Sequence, residues 1–258
     1  MERLLAPREH AAALRFVARV RREVPAELVR ALLFGSRARG EGRPDSDLDV
    51  LLVFRALPPD REPHAGMAEE IADQVARRTG VPVQTWSVSL PDLAQGCRTP
   101  MLVDALDDGV VLWPAGAAPL SVAYTPADAL WCTGALLARV AEGSREFARH
   151  LDAGDPAAAA QRARDDVVRL CTAVLLLEGV TRPRRGKAVA RCAASLDPAA
   201  GADPVLAWAA RSYGPDGRED DAPVPPPPGG LAAAAETVER LRRLVARRRA
   251  GLAAALEG

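Results

Sequence analysis

The stretch LLFGSRARGEGRPDSDLDVLLVF, residues 32–54, joins two apolar runs through a connection that contains glycine, serine and several charged residues. The apolar runs cover residues 28–34 and 47–54 and are bounded by turn residues. Short apolar runs of this kind predict strands rather than helices. The sequence therefore predicts two neighbouring strands with a long glycine-containing connection between them.

The second of these strands carries two aspartates inside its apolar run. Alternate residues of a strand share a face, so Asp47 and Asp49 point the same way while Leu48 and Val50 face the core. Carboxylates about 7 Å apart along one strand repel each other unless a cation lies between them. Magnesium prefers hard oxygen ligands and is commonly shared between one or two carboxylates and substrate phosphates. This pattern predicts a metal site at Asp47 and Asp49.

The first strand ends in a Gly35-Ser36 turn. Glycine allows backbone amides to approach a phosphate, and the serine hydroxyl adds a further donor. A phosphate held at this turn, and bridged by a metal ion to the two aspartates, would be ready for in-line attack. The two strand ends together therefore predict a nucleotide site.

Bulk composition limits the classes of function. The 258 residues contain 34 basic and 34 acidic side chains, so no global field favours a polyanion, and nucleic acid is disfavoured as a ligand. The four cysteines lack CxxC spacing and are expected to be core thiols, and the three histidines are isolated, which disfavours a zinc site. Without an apolar run long enough to span a membrane, or a signal-peptide pattern, the protein is expected to be soluble and cytoplasmic.

The remaining pattern of the first half predicts a small mixed sheet with flanking helices, ending near residue 118. The predicted elements are helices over 8–24, 67–80 and 100–107, a third strand over 81–89, and an edge strand over 110–113. The predicted fold class is α+β for residues 1–118.

The second half, residues 119–258, is predicted to be an all-helical bundle. Thr125-Pro126 and Asp155-Pro156 each combine a capping side chain with a proline that the first helical position tolerates. Helices are predicted over 126–152, 156–179, 187–196, 203–211 and 231–256. The proline-rich segment over about 214–230 is predicted to be a mobile loop.

The segment FGSRARGEGRPDSDLDVLLV resembles the nucleotidyltransferase superfamily that includes DNA polymerase beta, and especially its minimal nucleotidyltransferase branch. The shared pattern is a strand, Gly-Ser, ten residues, and Asp-x-Asp on the next strand. The resemblance covers residues 28–113 well and the helical part only loosely. It implies the fold of that superfamily and a reaction in which an acceptor hydroxyl attacks the alpha phosphate of a nucleoside triphosphate and releases pyrophosphate.

The resemblance also implies roles for individual residues. Asp47 and Asp49 would bind Mg²⁺, and Gly35 and Ser36 would hold the triphosphate of ATP or another nucleoside triphosphate. Arg37 is a weaker candidate for neutralising phosphate charge.

Members of this superfamily commonly have a third carboxylate on the next strand, and the aligned position here is Gln84. Three explanations remain open: another acid serves, one metal ion suffices, or the chain binds nucleotide without turnover. Asp104, Glu142 and Glu146 are the candidate substitutes.

The two-part layout also resembles bacterial resistance enzymes that nucleotidylate aminoglycosides or lincosamides. Residues 167–193 resemble a segment of the streptomycin and spectinomycin adenylyltransferases in which a lysine contacts the triphosphate, which makes Lys187 a candidate phosphate contact. The first expectation is therefore a Mg²⁺-dependent enzyme that moves a nucleoside monophosphate, in the first place AMP from ATP, to a hydroxyl of an antibiotic-like small molecule. The alternatives are an antitoxin-like enzyme that places AMP on a protein partner, and a catalytically silent nucleotide-binding protein.

Overall fold

The chain forms two compact units, Met1–Ala123 and Tyr124–Gly258, whereas the sequence placed the boundary after residue 118. The structure is a computed structural model that describes residues 5–44, 46–58, 60, 62–95, 98–117, 120, 122–181, 185–196, 203–211 and 227–257. Each unit has hydrophobic core residues of its own.

The first unit alternates helices and strands. Its elements are α1 (Pro7–Glu23), β1 (Leu28–Phe34), α2 (Gly35–Ala38), β2 (Leu48–Phe54), α3 (Glu62–Thr79), β3 (Val83–Ser89), α4 (Leu90–Gln95), α5 (Pro100–Asp107) and β4 (Val110–Trp113). The four strands form one mixed sheet in the order β3-β2-β1-β4. β1 is antiparallel to β2 and β4, and β2 is parallel to β3. The predicted small mixed sheet with flanking helices is confirmed.

Both faces of β2 are buried, which explains why its sequence is a continuous apolar run rather than an alternating one. Val50 and Leu52 belong to a core that includes residues of α1 and α3. Leu51 and Val53 belong to a second core, on the other face, that includes residues of α4 and α5. Asp49 is in phase with the second set, so its side chain belongs to the sheet face that α4 and α5 cover.

The elements described in the second unit are helices. Its elements are α6 (Pro126–Asp152), α7 (Pro156–Leu177), α8 (Arg185–Leu196), α9 (Pro204–Arg211) and α10 (Gly230–Glu257). α7 supplies much of the buried core, and residues of α6, α8, α9 and α10 complete it. The two predicted caps are present: the Thr125 hydroxyl accepts a hydrogen bond from the Asp128 amide at 3.3 Å, and the Asp155 carboxylate accepts one from the Ala158 amide at 3.0 Å.

Several local predictions need correction. Residues 35–38 form a helical turn rather than a simple turn, and β2 begins at Leu48, so Asp47 lies just before the strand. The helix α3 begins at Glu62 instead of residue 67 because polar residues of its first turn hid the periodicity. Of the predicted mobile loop, residues 214–226 lie outside the described residues, and residue 230 already begins α10.

Two predictions from composition can be compared with the structure. Cys132, Cys171 and Cys192 are free and buried, as expected of core thiols, while Cys97 lies outside the described residues. Within the described ranges, no helix combines the length and apolar character needed to cross a membrane.

Candidate functional site

The Gly35-Ser36 turn and the Asp-x-Asp segment meet at one end of the sheet. Phe34, the last residue of β1, is the antiparallel partner of Asp49 in β2. Gly35 follows with φ +72°, and a Cβ built on it would lie 1.9 Å from Oδ2 of Asp49. Any side chain at residue 35 would collide with the carboxylate and would also occupy an unfavourable backbone region. Glycine at this position therefore lets the Asp49 carboxylate lie directly against the backbone of the turn.

The Asp49 carboxylate lies in an environment that disfavours its charge. Burial, followed by the negative charge of Asp47, raises the pKa of Asp49 to about 6, and the positive charge of Arg39 acts in the opposite direction. A cation beside the two carboxylates would relieve both unfavourable effects. The carboxylate pair therefore has the electrostatic character of a cation site.

The donor set fits a hard divalent cation that takes its remaining ligands from a substrate. Asp47 and Asp49 offer carboxylate oxygens, which Mg²⁺ prefers, and Mg²⁺ usually completes its shell with water and phosphate oxygens. Across the part of the chain that the structure describes, no group of three or more His, Cys, Asp or Glu side chains is arranged to hold a metal ion. The residues present therefore fit a shared metal–phosphate site better than a closed protein cage.

Gln84 lies beside Asp49 in the sheet. The two residues are partners in the parallel pairing of β2 and β3, so their side chains share a face. Gln84 is exposed. An acid at this position would be the neighbour of Asp49, so the neutral amide leaves the pair formed by Asp47 and Asp49 without a third carboxylate on the adjacent strand.

Asp104, one of the candidate substitutes for the third acid, lines a cleft together with Gly35 of the Gly-Ser turn. The cleft runs between α2 and α5 and is lined by Phe34, Gly35, Ala38, Arg39, Met101, Asp104 and Asp108. Asp104 and Asp108 are one helical turn apart and line the same side of the cleft. The cleft thus brings one of the three candidate acids to the turn that also contacts Asp49.

The other predicted residues belong to the second unit. Glu146 forms ion pairs with Arg162 at 3.0 Å and with Arg149 at 3.7 Å, and Glu142 is exposed on α6. Lys187 is exposed near the start of α8. The roles suggested for these three residues stay predictions.

The structure distinguishes two arginines that the sequence analysis did not. The Arg37 side chain is buried and ion pairs with Glu9 at 2.9 Å. Arg39, which was not among the sequence-based candidates, lines the cleft, and its positive charge acts to lower the pKa of Asp49. In a helical turn, residue 39 lies on the same side as residue 35, whereas residue 37 lies on the opposite side. Recognising the helical turn over 35–38 would have pointed to Arg39.

Residues 15–95 match the family model described as "Nucleotidyltransferase domain". This segment contains β1, α2, β2 and β3, and therefore the Gly-Ser turn, both aspartates and Gln84. Neither a curated protein nor a solved structure matches the chain. The family match and the mixed sheet agree that the first unit contains a nucleotidyltransferase domain.

Proposed function

We propose that this chain, whose residues 15–95 form a nucleotidyltransferase domain, moves a nucleoside monophosphate from a nucleoside triphosphate to a hydroxyl group of a small molecule. ATP is the proposed donor, with AMP as the transferred group. The observation that carries the proposal is the approach of the Asp49 carboxylate to the backbone of Gly35, which joins a candidate metal ligand to a candidate phosphate-binding turn.

Asp47 and Asp49 are the proposed ligands of a divalent cation, which would supply charge neutralisation for the triphosphate when bound. The backbone at Gly35 and the hydroxyl of Ser36 would orient the phosphates through hydrogen bonds. Arg39 would add a positive charge on the cleft side of the turn. The role of Lys187 stays a prediction from the resemblance.

Asp104 is the proposed acceptor of the proton that the attacking hydroxyl loses. A general base must lie within reach of the substrate group from which it takes the proton. Asp104 lines the cleft next to Gly35, which supports this choice.

The proposed acceptor is an antibiotic-like or other natural-product hydroxyl compound. The support is the long helical unit, whose resemblance to resistance nucleotidyltransferases is loose. The second candidate function is nucleotide binding without transfer. Gln84 favours it, because an amide replaces the charged ligand that would complete a two-metal site beside Asp49.

Calorimetric titration with ATP and Mg²⁺, followed by a pyrophosphate-release assay over a panel of hydroxyl acceptors, tests both candidates. Binding that requires Mg²⁺, together with release that requires one acceptor, is the expected result. Binding without release on any acceptor would favour the silent module. Absence of ATP binding would refute the site itself.

The role of Asp104 has its own test. Asp104→Asn removes the proton acceptor but preserves the shape of the side chain, so we expect ATP binding to persist and transfer to fall by roughly a hundredfold. Asp107→Asn, on the same helix and exposed, is the matched control. Equal transfer by Asp104→Asn and Asp107→Asn would exclude Asp104 as the base.

A further inference from the structure

Arg37 is more deeply engaged with the protein than its position in the Gly-Ser segment suggests. Its side chain is 10% exposed, and its Nη1 lies 2.9 Å from Oε1 of Glu9. Its Nη2 donates hydrogen bonds to two backbone carbonyl oxygens of the connection between α2 and β2, that of Pro44 at 3.3 Å and that of Ser46 at 3.0 Å. One guanidinium therefore joins α1 to the segment that immediately precedes Asp47.

Glu9 is itself fixed at the beginning of α1. Its side chain is 14% exposed, and its second oxygen, Oε2, accepts a hydrogen bond from the Ala6 amide at 2.9 Å. The helix that carries it is held against the sheet by buried residues, among them Phe16 and Val20. Glu9 thus provides an anchor that is tied to the core of the first unit.

The aliphatic part of Arg37 adds a further contact to the same connection. A Cβ built on Gly42 would lie 2.3 Å from Cδ of Arg37. The arginine therefore packs against the backbone of Gly42 before its guanidinium reaches Pro44 and Ser46. These three contacts precede the first aspartate of the Asp-x-Asp segment, which lies next to Ser46 in the chain.

We infer that Glu9 and Arg37 form a clamp that holds residues 39–44 and Ser46 and thereby positions Asp47 as a metal ligand. The positioning of Asp47 as a metal ligand rests on the proposed function. The clamp on the connection between α2 and β2 does not. Arg37 is thus a positioning residue, and Arg39, which lines the cleft, is the arginine proposed to add positive charge near the phosphates.

The chemistry of the guanidinium explains why arginine is needed. It is planar and carries five donors in a fixed arrangement, so it can pair with a carboxylate and bind two carbonyl groups at once. A lysine at this position would keep the charge, but its compact ammonium group would lack the planar, fixed set of donors that lets one guanidinium bind both partners at once. Partners that orient a metal ligand in this way typically change metal affinity or activity by roughly tenfold to a hundredfold when they are lost.

Three variants perturb the clamp in different ways. Arg37→Lys retains the charge and removes the fork, and Glu9→Gln weakens the anchor while preserving its shape. Gly42→Ala leaves both charged groups intact and displaces Arg37 by a steric collision.

The chain offers a matched control for each variant. Arg19 and Glu23 form a pair on the same helix with contacts of 2.9 and 2.6 Å, so Arg19→Lys and Glu23→Gln match the first two changes. Gly66→Ala matches the third, because a Cβ on Gly66 meets nothing within 4 Å. The controls should leave the connection and the metal site unaffected.

Two measurements on the full-length chain test the inference. Amide hydrogen exchange reports on the connection, where the amides of Glu41 and Ser46 are hydrogen-bonded to carbonyl oxygens at 2.9 and 3.1 Å. Titration with Mn²⁺, followed through the electron paramagnetic resonance signal of the free ion, reports on the metal site. In the three clamp variants, exchange at the amides of residues 39–43 and of Ser46 should become roughly tenfold faster, as expected for a lost hydrogen bond to a charged group. The Mn²⁺ dissociation constant should rise roughly tenfold to a hundredfold.

The outcomes separate the clamp from the proposed function. Unchanged exchange in both Arg37→Lys and Glu9→Gln would overturn the clamp. Faster exchange with wild-type Mn²⁺ affinity would overturn the positioning of Asp47. A wild-type chain that binds neither Mn²⁺ nor ATP would overturn the proposed function and the positioning role together, while the exchange measurement would still decide whether Glu9 and Arg37 hold the connection.

Discussion

Asp49 in the first unit and Asp166 in the second are acids whose pKa is raised to about 6, and in each case burial is the largest cause. Both carboxylates also lie where only glycine leaves room. A Cβ on Gly35 would come within 1.9 Å of Oδ2 of Asp49, and one on Gly143 within 2.3 Å of Oδ2 of Asp166. By pKa and by packing against a glycine the two sites are alike, although Asp166 is buried and Asp49 is half-buried.

The neighbouring charges differ in their balance. Asp166 lies between two arginines of its own helix, with Arg169 at 2.8 Å and Arg162 at 3.4 Å, and the charge of Asp165 is a smaller influence on its pKa. For Asp49 the larger charge effect is the negative charge of Asp47, which raises the pKa, and Arg39 acts against it. A raised pKa therefore does not by itself identify a functional site. The candidate ligand site is therefore the pair of carboxylates at Asp47 and Asp49. Asp166, which lies between two arginines, is an element of the helical core.

Replacing each acid by its amide gives the largest expected effect. Asp49→Asn removes a proposed metal ligand, and losing several kcal/mol of charge stabilisation corresponds to a fall in transfer of roughly a thousandfold. Asp166→Asn should retain transfer, because it leaves Asp47, Asp49 and the Gly-Ser turn unchanged. Pyrophosphate release under identical ATP and Mg²⁺ concentrations measures both.

Equal losses of transfer in the two variants would contradict the distinction between Asp49 and Asp166. They would mean that the helical unit contributes to the reaction as directly as the sheet does. Circular dichroism of both variants is the control for folding.

The two glycines give the next largest effect. Gly35→Ala places a side chain at a positive φ, at a cost of about 1–2 kcal/mol, and displaces the Asp49 carboxylate. We expect transfer to fall roughly tenfold to a hundredfold, as for other changes that misplace a metal ligand. Gly143→Ala pushes on Arg162 and Asp166 and should lower the free energy of unfolding by about 1–3 kcal/mol without lowering transfer.

Urea unfolding and transfer assays on the same preparations check this pair. Gly251→Ala in α10, where a Cβ meets nothing within 4 Å, is the control for adding a methyl group to a helix. If Gly143→Ala lowered transfer as much as Gly35→Ala, the distinction between the two carboxylates would not hold.

The strands and the longer helices could be predicted from sequence because their signals are local. Residues 28–34 form β1 as an apolar run predicts, and α6 and α7 begin at Pro126 and Pro156, where Thr-Pro and Asp-Pro predict helix starts. The four-residue helical turn at 35–38 has no periodicity to detect. The resemblance named Arg37 as a candidate for neutralising phosphate charge, and without the helical turn nothing in the sequence pointed to Arg39.

The parts of the site that depend on tertiary packing could not be predicted. Asp104 was one of three open alternatives, because nothing in its spacing shows that α5 packs beside the Gly-Ser turn. The contact between Glu9 and Arg37 joins distant segments and leaves no pattern in either. The position of Gln84 beside Asp49 was an exception, because the resemblance to the superfamily aligned residue 84 with its third carboxylate, and the parallel pairing of β2 and β3 makes the two residues partners.

A smaller effect is expected when the missing carboxylate is restored. Gln84→Glu would place a third acid beside Asp49, on the same face of the sheet. Because affinity for a hard cation rises with the number of charged oxygen ligands, we expect the Mn²⁺ dissociation constant to fall roughly tenfold. Gln74→Glu on α3 is the matched control, and calorimetric titration is the measurement. Unchanged Mn²⁺ affinity in Gln84→Glu would show that residue 84 does not face the metal.

The smallest expected effect is a pH-dependent response of thermal stability to Mg²⁺. Because the folded-state pKa of Asp49 is raised from 3.8 to about 6, the native state binds this proton more tightly than the unfolded chain does. The metal-free protein should therefore lose stability as the pH rises through this window. Above it, the ionised carboxylate is available to Mg²⁺, which should raise the melting temperature of the first unit by roughly 2–4 °C.

Protons compete with the metal at pH 5, so the Mg²⁺ response should be small there and complete above pH 7. Asp166 titrates in the same window, but its ion pairs with Arg162 and Arg169 already balance its negative charge. Asp166→Asn should consequently keep the Mg²⁺ response, and Asp49→Asn should lose it. A response that survives in Asp49→Asn would assign the Mg²⁺ effect to another part of the chain and would remove the electrostatic distinction between the two acids.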